Sequence, residues 1–521
     1  MTDGQTSEPA PFTLQFQAVH NPDRTAIVDG DLRLSFREFN MRVNRLASAL
    51  REVGIGRGDR VAVLLHNRAE WAEVMFAMQK LKSSAVPIGY RLKAPEIEFI
   101  LNNSEARALI LGEEFINVVG PVMPRASHIR EGNYIVLGDN VPPAFKRYET
   151  LMESGSDAEL DADPEEASST IIYTSGTTGT PKGAYRANQP RNLEMLTDII
   201  MNFGFSMNDV NYVTCPLYHS APAFFTAIHL VFGATVVIGR HFDPEAFLAT
   251  VEQEKITTAF VVPTQLNRIA NLPEFVKQRH DVSSMRALIT GAAPCHHSVK
   301  TQTIAIFGPD CLYEFYGATE TGINTILLPQ DQIRKPGSCG KSLVGNDIKI
   351  VGEDGKEVPA GEVGQLYVKN SMLITGYYKN EKATEESLLE GYFSVGDMAR
   401  VDEEGFYYIV DRKKDMVISG GVNIYPAEVE NVLRMHPAVY DCVVVGVPDE
   451  EWGESLKALV VLKVESEAPS EALSDFCKER LADYKVPRSF DFIDEIPHNP
   501  SGKPLKRELR SRYWAGVERK I

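Results

Sequence analysis

Positive charge is in short supply: 54 lysines and arginines stand against 71 aspartates and glutamates over 521 residues, a formal net charge of −17. A surface of that sign repels nucleic acid, so non-specific binding to it is excluded, and any anionic substrate must be met by cations gathered locally. Metal-ligating patterns are missing too. The six cysteines, at 215, 295, 311, 339, 442 and 477, form no C-x-x-C and no cluster with histidine. That argues against structural zinc and for a reducing compartment. The amino terminus MTDGQTSEPAP has neither a basic nor an apolar leader region, and the final ERKI is no peroxisomal address, so a cytoplasmic protein is expected. Long apolar runs are scarce. Ser220 to Gly239, twenty residues without a formal charge, tempts a membrane reading, but its Pro222, His229 and Gly233 predict a buried helix, a glycine break and a buried strand rather than a membrane span.

What is present is an alternating pattern on a chain too long for one core. From residue 35, SFREFNMRVNRLASALREVG predicts an amphipathic helix stopped by Gly54. RVAVLL, AVPI and RALIL predict strands, with helices at 69–82 and 95–103 between them. This is α/β layering on largely parallel sheet. The acid-rich ESGSDAELDADPEE (153–166) reads as a solvated connector, after which TAFVV, RALIT and CLYEFY resume the strand series. From about 345, short strands with glycine turns predict a small β-rich subdomain, and the last hundred residues form a separate α+β pattern. The expectation is a large amino-terminal domain (1–410) of layered α/β subdomains plus the β-rich one, a hinge at 411–415, and a small mobile α+β lid at 416–521.

One segment asks for chemistry. YTSGTTGTPKGA (173–184) carries five Ser/Thr hydroxyls, three glycines and one lysine, and no acid. Freed backbone N–H groups and hydroxyl donors can cradle an anion, and the apolar TIIY before it supplies the strand that commonly feeds a phosphate loop. It is not a Walker A loop, because Pro181 precedes Lys182 and Gly183 follows it. Nor is it a dinucleotide fingerprint, since Thr178 stands where a glycine is needed. On the loop alone, a flexible Gly/Thr linker remains the alternative.

Taken with YGATE (316–320), FSVGD (393–397), VDRKKDMVISGGVNIYPAEVE (410–430) and PHNPSGKPLKREL (497–509), the loop resembles, in order and spacing, the signatures of the ANL adenylate-forming superfamily over nearly the whole chain. The resemblance implies an ATP-dependent acyl-CoA synthetase: a carboxylate attacks the α-phosphate of ATP, acyl-AMP and pyrophosphate form, and a thiol displaces AMP. It implies ATP, Mg²⁺ and coenzyme A. Thr174, Ser175, Gly176, Thr177, Thr178, Gly179, Thr180 and Lys182 would grip the β/γ-phosphates; Thr174 and Glu320 would hold Mg²⁺. Tyr316 would stack on adenine, Thr319 approach the α-phosphate, and Asp397 with Arg412 bind the ribose. Gly291, Ala292, Ala293, Glu314 and Gly317 complete the nucleotide set, and His219, Phe224, Ala292, Gly317 and Ala318 the acyl set. Lys503 would serve the first half-reaction and the loop of Ser419, Gly420 and Gly421 the second, exchanged by rotation about Lys414. Thr174, Glu320, His219 and Lys503 are the expected catalytic residues.

For substrate, the small residues Gly291, Ala292, Ala293 and Gly317 are expected to leave room. Acetate-specific relatives fill the position of Gly317 with Trp, and amino-acid-activating relatives carry Asp near His219, so neither acid is expected. An apolar acid remains: a medium or long fatty acid, an arylalkanoic acid or a bulky polycyclic acid, the strings PLYHSAP and VPTQLNRIANLP being similar to those of bile-acid-type CoA ligases. With no carrier domain appended after 521, free CoA is expected over a tethered arm, an acyl-AMP ligase serving a carrier protein being the alternative. A homo-oligomer and a lysine acetyltransferase acting on Lys503 stay open as partners.

Overall fold

The computed structural model describes residues 9–160, 169–174, 181–187, 193–498 and 504–514. Four sheets organise them. The first has eight strands, with Thr170–Thr174, Ser84–Pro87, Arg60–Leu64, Ala108–Gly112, Tyr134–Leu137 and Lys146–Arg147 running parallel. Lys182–Arg186 and Gly376–Tyr377 extend it antiparallel at one edge. The second has nine, and its parallel centre joins Leu312–Ala318, Ala287–Thr290, Thr258–Val261, Val210–Val213, Thr235–Ile238 and Thr25–Asp29. Thr25–Asp29 and Leu32–Ser35 thus leave the start of the chain to pair with a sheet built mostly two hundred residues later. The repeating pattern of the first 150 residues gives no sign of that transfer.

Helices Phe36–Glu52 and Ala69–Leu81 fill the space between the two sheets. A capping box starts the first: Ser35 accepts from the Glu38 N–H, and Glu38 returns to the Ser35 N–H. Gly54, at φ +88°, follows its end. Phe39 and Phe76 meet edge to face, ring centres 5.8 Å apart, in a core that draws Val61 and Ile110 from the first sheet and Ile27 and Val236 from the second. Burying each such side chain contributes roughly 1.5–3 kcal/mol, so the shared core binds the two sheets into one layered body. Ser220–Phe232, Gly233 in the left-handed region and Thr235–Ile238 bear out the helix–break–strand reading; among the described residues no helix is long and apolar enough to cross a membrane.

The described start of the acid-rich stretch is exposed at Glu153, Ser154 and from Ser156 to Glu159, as a solvated connector should be, but it is anchored to the body. Glu159 pairs with Lys80 and accepts from Asn40 and Asn44, and the chain at Gly155 lies so close to the carbonyl of Arg45 that a Cβ would sit 2.0 Å from that oxygen. A buried lysine needs a counter-charge, and the acidic run provides it; residues 161–166 lie outside the described residues.

The six-stranded third sheet spans residues 347–412 and ends with Tyr407–Arg412. The chain enters the five-stranded fourth sheet at Val417–Ser419, where helices Pro426–Leu433 and Ser470–Lys478 pack on the long pair Val439–Asp449 and Gly453–Leu462. All six cysteines are buried thiols.

Candidate active site

The strand Thr170–Thr174 and its antiparallel partner Lys182–Arg186 pair from Thr170 with Arg186 to Thr174 with Lys182. The glycine-hydroxyl segment therefore leads into a strand and not a helix. No helix dipole continues the segment, so anion binding would fall to the segment's own donors and to Lys182. Ser175 to Thr180 lie outside the described residues.

At the end of this hairpin four elements meet. Glu320, 7% exposed, comes just after the strand Leu312–Ala318, and its Oε1 accepts from the Thr174 hydroxyl at 3.4 Å and the Tyr377 hydroxyl at 3.1 Å. Lys182 Nζ lies 5.0 Å from the centre of the Tyr377 ring. Burial, then the charge of Glu320, pushes the Tyr377 phenol far up, so it stays a donor. Arg186 donates to the carbonyls of Thr319 and Met372. Burial lowers its pKa while Glu320 opposes the change. Sequence reasoning finds Thr174, Lys182 and Glu320 but misses Tyr377 and Arg186: Tyr377 sits in an unremarked GYYKN, and its role depends on a two-stranded pairing with Lys182–Arg186.

Thr174 and Glu320 present hard oxygen donors 3.4 Å apart, the type Mg²⁺ selects. Among the described residues no group of three His, Cys, Asp or Glu side chains could cage a metal. One carboxylate and one hydroxyl fit an ion that takes its remaining ligands from phosphate and water.

A second cluster lies on the other side of the Tyr316 strand. Asp397 Oδ2 accepts from the Tyr316 hydroxyl at 2.8 Å, and its Oδ1 lies 3.2 Å from Arg412 Nε. The two strands that carry Asp397 and Arg412 pair at those residues, which fixes the ion pair by register. Burial works against the charged Arg412, but Asp397 and Asp415 more than offset it and raise its pKa. Burial and then Asp397 push the Tyr316 phenol well up. Glu314, two residues before Tyr316, is buried against Lys300, so its carboxylate is already engaged by a cation.

The third group surrounds the start of helix Ser220–Phe232. His219 is its N-cap residue, with its ring 4.3 Å from that of Tyr218. Ser220 and Thr319 hydroxyls lie 3.1 Å apart, which joins PLYHSAP to YGATE. Asn67 fixes the loop from below, donating to the carbonyl of Cys215 and accepting from the Leu217 N–H at 2.8 Å, a cross-link between sheets that no local pattern signals. Phe224, Phe225, Phe260 and Phe315 make an aromatic cluster in a buried core: Phe225 lies 5.5 Å from Phe224, 5.4 Å from Phe260 and 5.8 Å from Phe315, with Ala292 packed against it. Ala292 holds φ +67°, a conformation costing roughly 1–2 kcal/mol for a residue with a Cβ. Gly317 and Gly291 serve a purpose other than room. A Cβ on Gly317 would lie 2.1 Å from the Gly322 carbonyl oxygen, and one on Gly291 2.9 Å from that of Phe315. Both positions are glycine because backbone passes against backbone, and at Gly317 this replaces the open-space reading; Ala293 and Ala318 are half-buried beside them.

Ser419, Gly420 and Gly421 form the tight turn between Val417–Ser419 and Val422–Ile424, with both glycines at positive φ and the Gly420 N–H bonded to the Trp452 carbonyl. The Lys414 carbonyl accepts from Arg510 at 3.4 Å. Lys503 lies outside the described residues.

A carboxylate–hydroxyl pair, a buried Asp–Arg–Tyr cluster and an aromatic cluster thus gather around the strand Leu312–Ala318 and its flanks. A family profile described as AMP-binding enzyme matches residues 14–378, and one described as AMP-binding enzyme C-terminal domain matches residues 428–503. The chain belongs to this family of adenylate-forming enzymes. It is 36% identical to a feruloyl-CoA synthase of an Amycolatopsis species, over 95% of this chain and 96% of that one. It is 33% identical to the fatty acid–[acyl-carrier-protein] ligase ScoC of Streptomyces coeruleorubidus, over 98% and 97%. The crystal structure of the anthranilate CoA ligase AuaEII with anthranoyl-AMP superposes at a TM-score of 0.89, with 27% identity over 97% of each chain. The protein is an AMP-forming acid–thiol ligase that uses ATP, Mg²⁺ and CoA to convert a carboxylic acid, through its acyl-AMP, into a thioester.

Proposed function

We propose that the acid is apolar and aromatic or long-chain, and that the site residues divide the work between them. The hydroxyl loop with Lys182 grips the β- and γ-phosphates, the part of ATP that leaves. Asp397 accepts the ribose hydroxyls, with Arg412 and Tyr316 holding its carboxylate in place. One oxygen of the substrate carboxylate attacks the α-phosphorus, the bond to the bridging oxygen of the β-phosphate breaks, and pyrophosphate departs. Thr174 and Glu320 are the residues that would hold Mg²⁺, whose charge, when bound, offsets that of the phosphates. Lys503 neutralises charge at the α-phosphate. The lobe beyond Lys414 then turns, bringing the Ser419–Gly421 turn to the site, and the CoA sulfur attacks the acyl carbon as AMP leaves. Positioning and charge neutralisation suffice for such a displacement, which needs no covalent help from protein.

The observation behind the substrate is that the helix capped by His219 carries Phe224 and Phe225 into an aromatic cluster with Phe260 and Phe315, where an amino-acid substrate would need a carboxylate. Similarity to feruloyl-CoA synthase and to a CoA ligase of anthranilate favours a planar aryl or arylalkenoic acid within that class; a fatty acid and a bulky polycyclic, bile-acid-type acid are the competing members. Measuring kcat/KM with CoA for a hydroxycinnamic acid, an indole-bearing acid, a C12–C16 fatty acid and a steroid acid tests this, with the aryl acids expected to lead by at least tenfold. Turnover confined to acetate or to amino acids would overturn it. ScoC supports a second reading, in which the acceptor thiol belongs to a carrier protein; CoA failing where a phosphopantetheinylated carrier succeeds would select it.

A further inference from the structure

Asp411 belongs to the third sheet. It lies on the strand Tyr407–Arg412, opposite Met398, on the amino-terminal side of Lys414. Its carboxylate nevertheless serves the carboxy-terminal lobe. Oδ2 accepts from the N–H of Ala427 at 2.9 Å, in the first turn of helix Pro426–Leu433, while Oδ1 accepts from its own neighbour Arg412 at 2.7 Å. The N-cap residue of that helix, Tyr425, gives no side-chain cap. The helix therefore receives its capping acceptor from across the hinge.

A buried cation completes the arrangement. Lys506 Nζ lies 2.8 Å from Glu430 Oε1 on the same helix, and that oxygen also accepts from the Val444 N–H at 2.8 Å. Beyond Glu430, Asp411 and then Asp415 are the charges that most favour the Lys506 ammonium. Burial pushes the Asp411 carboxyl up, and Lys506 is the largest influence opposing it. Arg510, one turn beyond Lys506, reaches the Lys414 carbonyl.

We propose that Asp411 is a positioning residue that holds the lobe in the orientation seen here by capping the lobe helix from the far side of the hinge, that helix being tied to Lys506 through Glu430, and that the cap must open whenever the lobe turns. Asp411 is fixed to the third sheet through its pairing with Met398, whereas Ala427 belongs to the lobe. A rotation at Lys414 separates them. A capped lobe and an uncapped lobe are then two discrete states, and the cap sets their ratio. The inference rests on the lobe rotation of the proposed function, and it names the contact that rotation must break.

The test uses distance, so it does not depend on turnover. The six native cysteines are buried, and Phe275 (67% exposed) and Val464 (92% exposed) stand on the body and the lobe. Spin labels on Phe275→Cys and Val464→Cys report the lobe orientation by electron–electron distance. The intact protein should give one dominant distance. Asp411→Ala should move at least a third of the population to a second distance, and Lys506→Met should shift it the same way, while Lys506→Arg keeps the original. An unchanged distribution in both Asp411→Ala and Lys506→Met overturns the proposal, as does a distribution merely broadened by unfolding with Lys506→Arg behaving like Lys506→Met. Half-reaction rates give a separate readout: Asp411→Ala should change the ratio of pyrophosphate exchange to thioester formation from supplied acyl-AMP by about fivefold or more, and equal losses in both contradict the cap. An enzyme without acid-dependent exchange in its unmutated form would refute the functional reading and leave the distances to decide the cap.

Discussion

At the scale of single residues, Glu320 and Gly317 make the sharpest demands. Glu320 is buried and accepts from Thr174 and Tyr377, so it is a carboxylate presented by donors rather than spent on a cation. Glu320→Gln should lower acid-dependent ATP–pyrophosphate exchange by about 10²-fold or more, the scale of removing one charge stabiliser. Tyr377→Phe removes one hydrogen bond to the carboxylate and should cost far less, about tenfold, in line with 1–1.5 kcal/mol. Exchange rates at saturating ATP compare the two. Gly317→Ala should destabilise the fold by about 1–3 kcal/mol in urea unfolding, because the new Cβ meets the Gly322 carbonyl and not open space. A variant as stable as the parent would restore the view that Gly317 only makes room. The gathering of residues is legible where a motif is local: Thr174 and Glu320 are within reach of the sequence, as are Asp397 and Arg412. Arg186, Tyr377 and Asn67 act through pairings set by sheet register, which a single sequence does not display.

At the scale of elements, helix Ser220–Phe232, which carries Phe224 and Phe225, has an internal pH limit. His229 is buried with Nδ1 2.7 Å from the Phe225 carbonyl and Nε2 3.0 Å from the Thr258 hydroxyl. The carbonyl can only accept, so Nδ1 holds the proton of a neutral ring, and the unprotonated Nε2 shares the Thr258 hydroxyl with Asn211 Oδ1. Burial, partly opposed by the Phe225 bond, takes its pKa down to about 4. A protonated ring suits the unfolded chain better, so stability is full above the unfolded value near 6.5 and falls as pH drops through the window to about 4. The loss should approach about 3 kcal/mol below that window, at 1.36 kcal/mol per unit. Urea unfolding between pH 7 and 4 should show this slope, and His229→Gln should flatten it; a slope identical in the two would contradict the assignment. Elements with a strong period, Phe36–Glu52, Ala69–Leu81 and the buried strands, are readable because burial of one face dictates their pattern. The acidic run after residue 153 is exposed as its composition predicts, but composition alone does not reveal that Glu159 anchors it to Lys80.

At the scale of the whole molecule, the layered body and the terminal lobe are expected from the change of texture along the chain, and the interleaving of the first hairpin into the second sheet is not. Sequence periodicity reports which face of an element is buried but not which distant sheet receives it. The shared core joins the sheet that carries Thr174 and Lys182 to the sheet that carries Tyr316. The proposed function adds a turn of the lobe. Lys503→Ala should accordingly slow acyl-AMP formation by about 10²-fold while sparing thioester formation from supplied acyl-AMP, measured as two separate half-reactions; equal loss in both would refute the division of labour.

The central claim is that the substrate carboxylate attacks the α-phosphorus of ATP. It is tested most directly by running the complete reaction with an aryl acid labelled with ¹⁸O in both carboxylate oxygens, Mg²⁺, ATP and CoA, and weighing the nucleotide product. The account predicts AMP carrying one ¹⁸O, with pyrophosphate unlabelled. Unlabelled AMP, or ADP together with labelled inorganic phosphate, would contradict it.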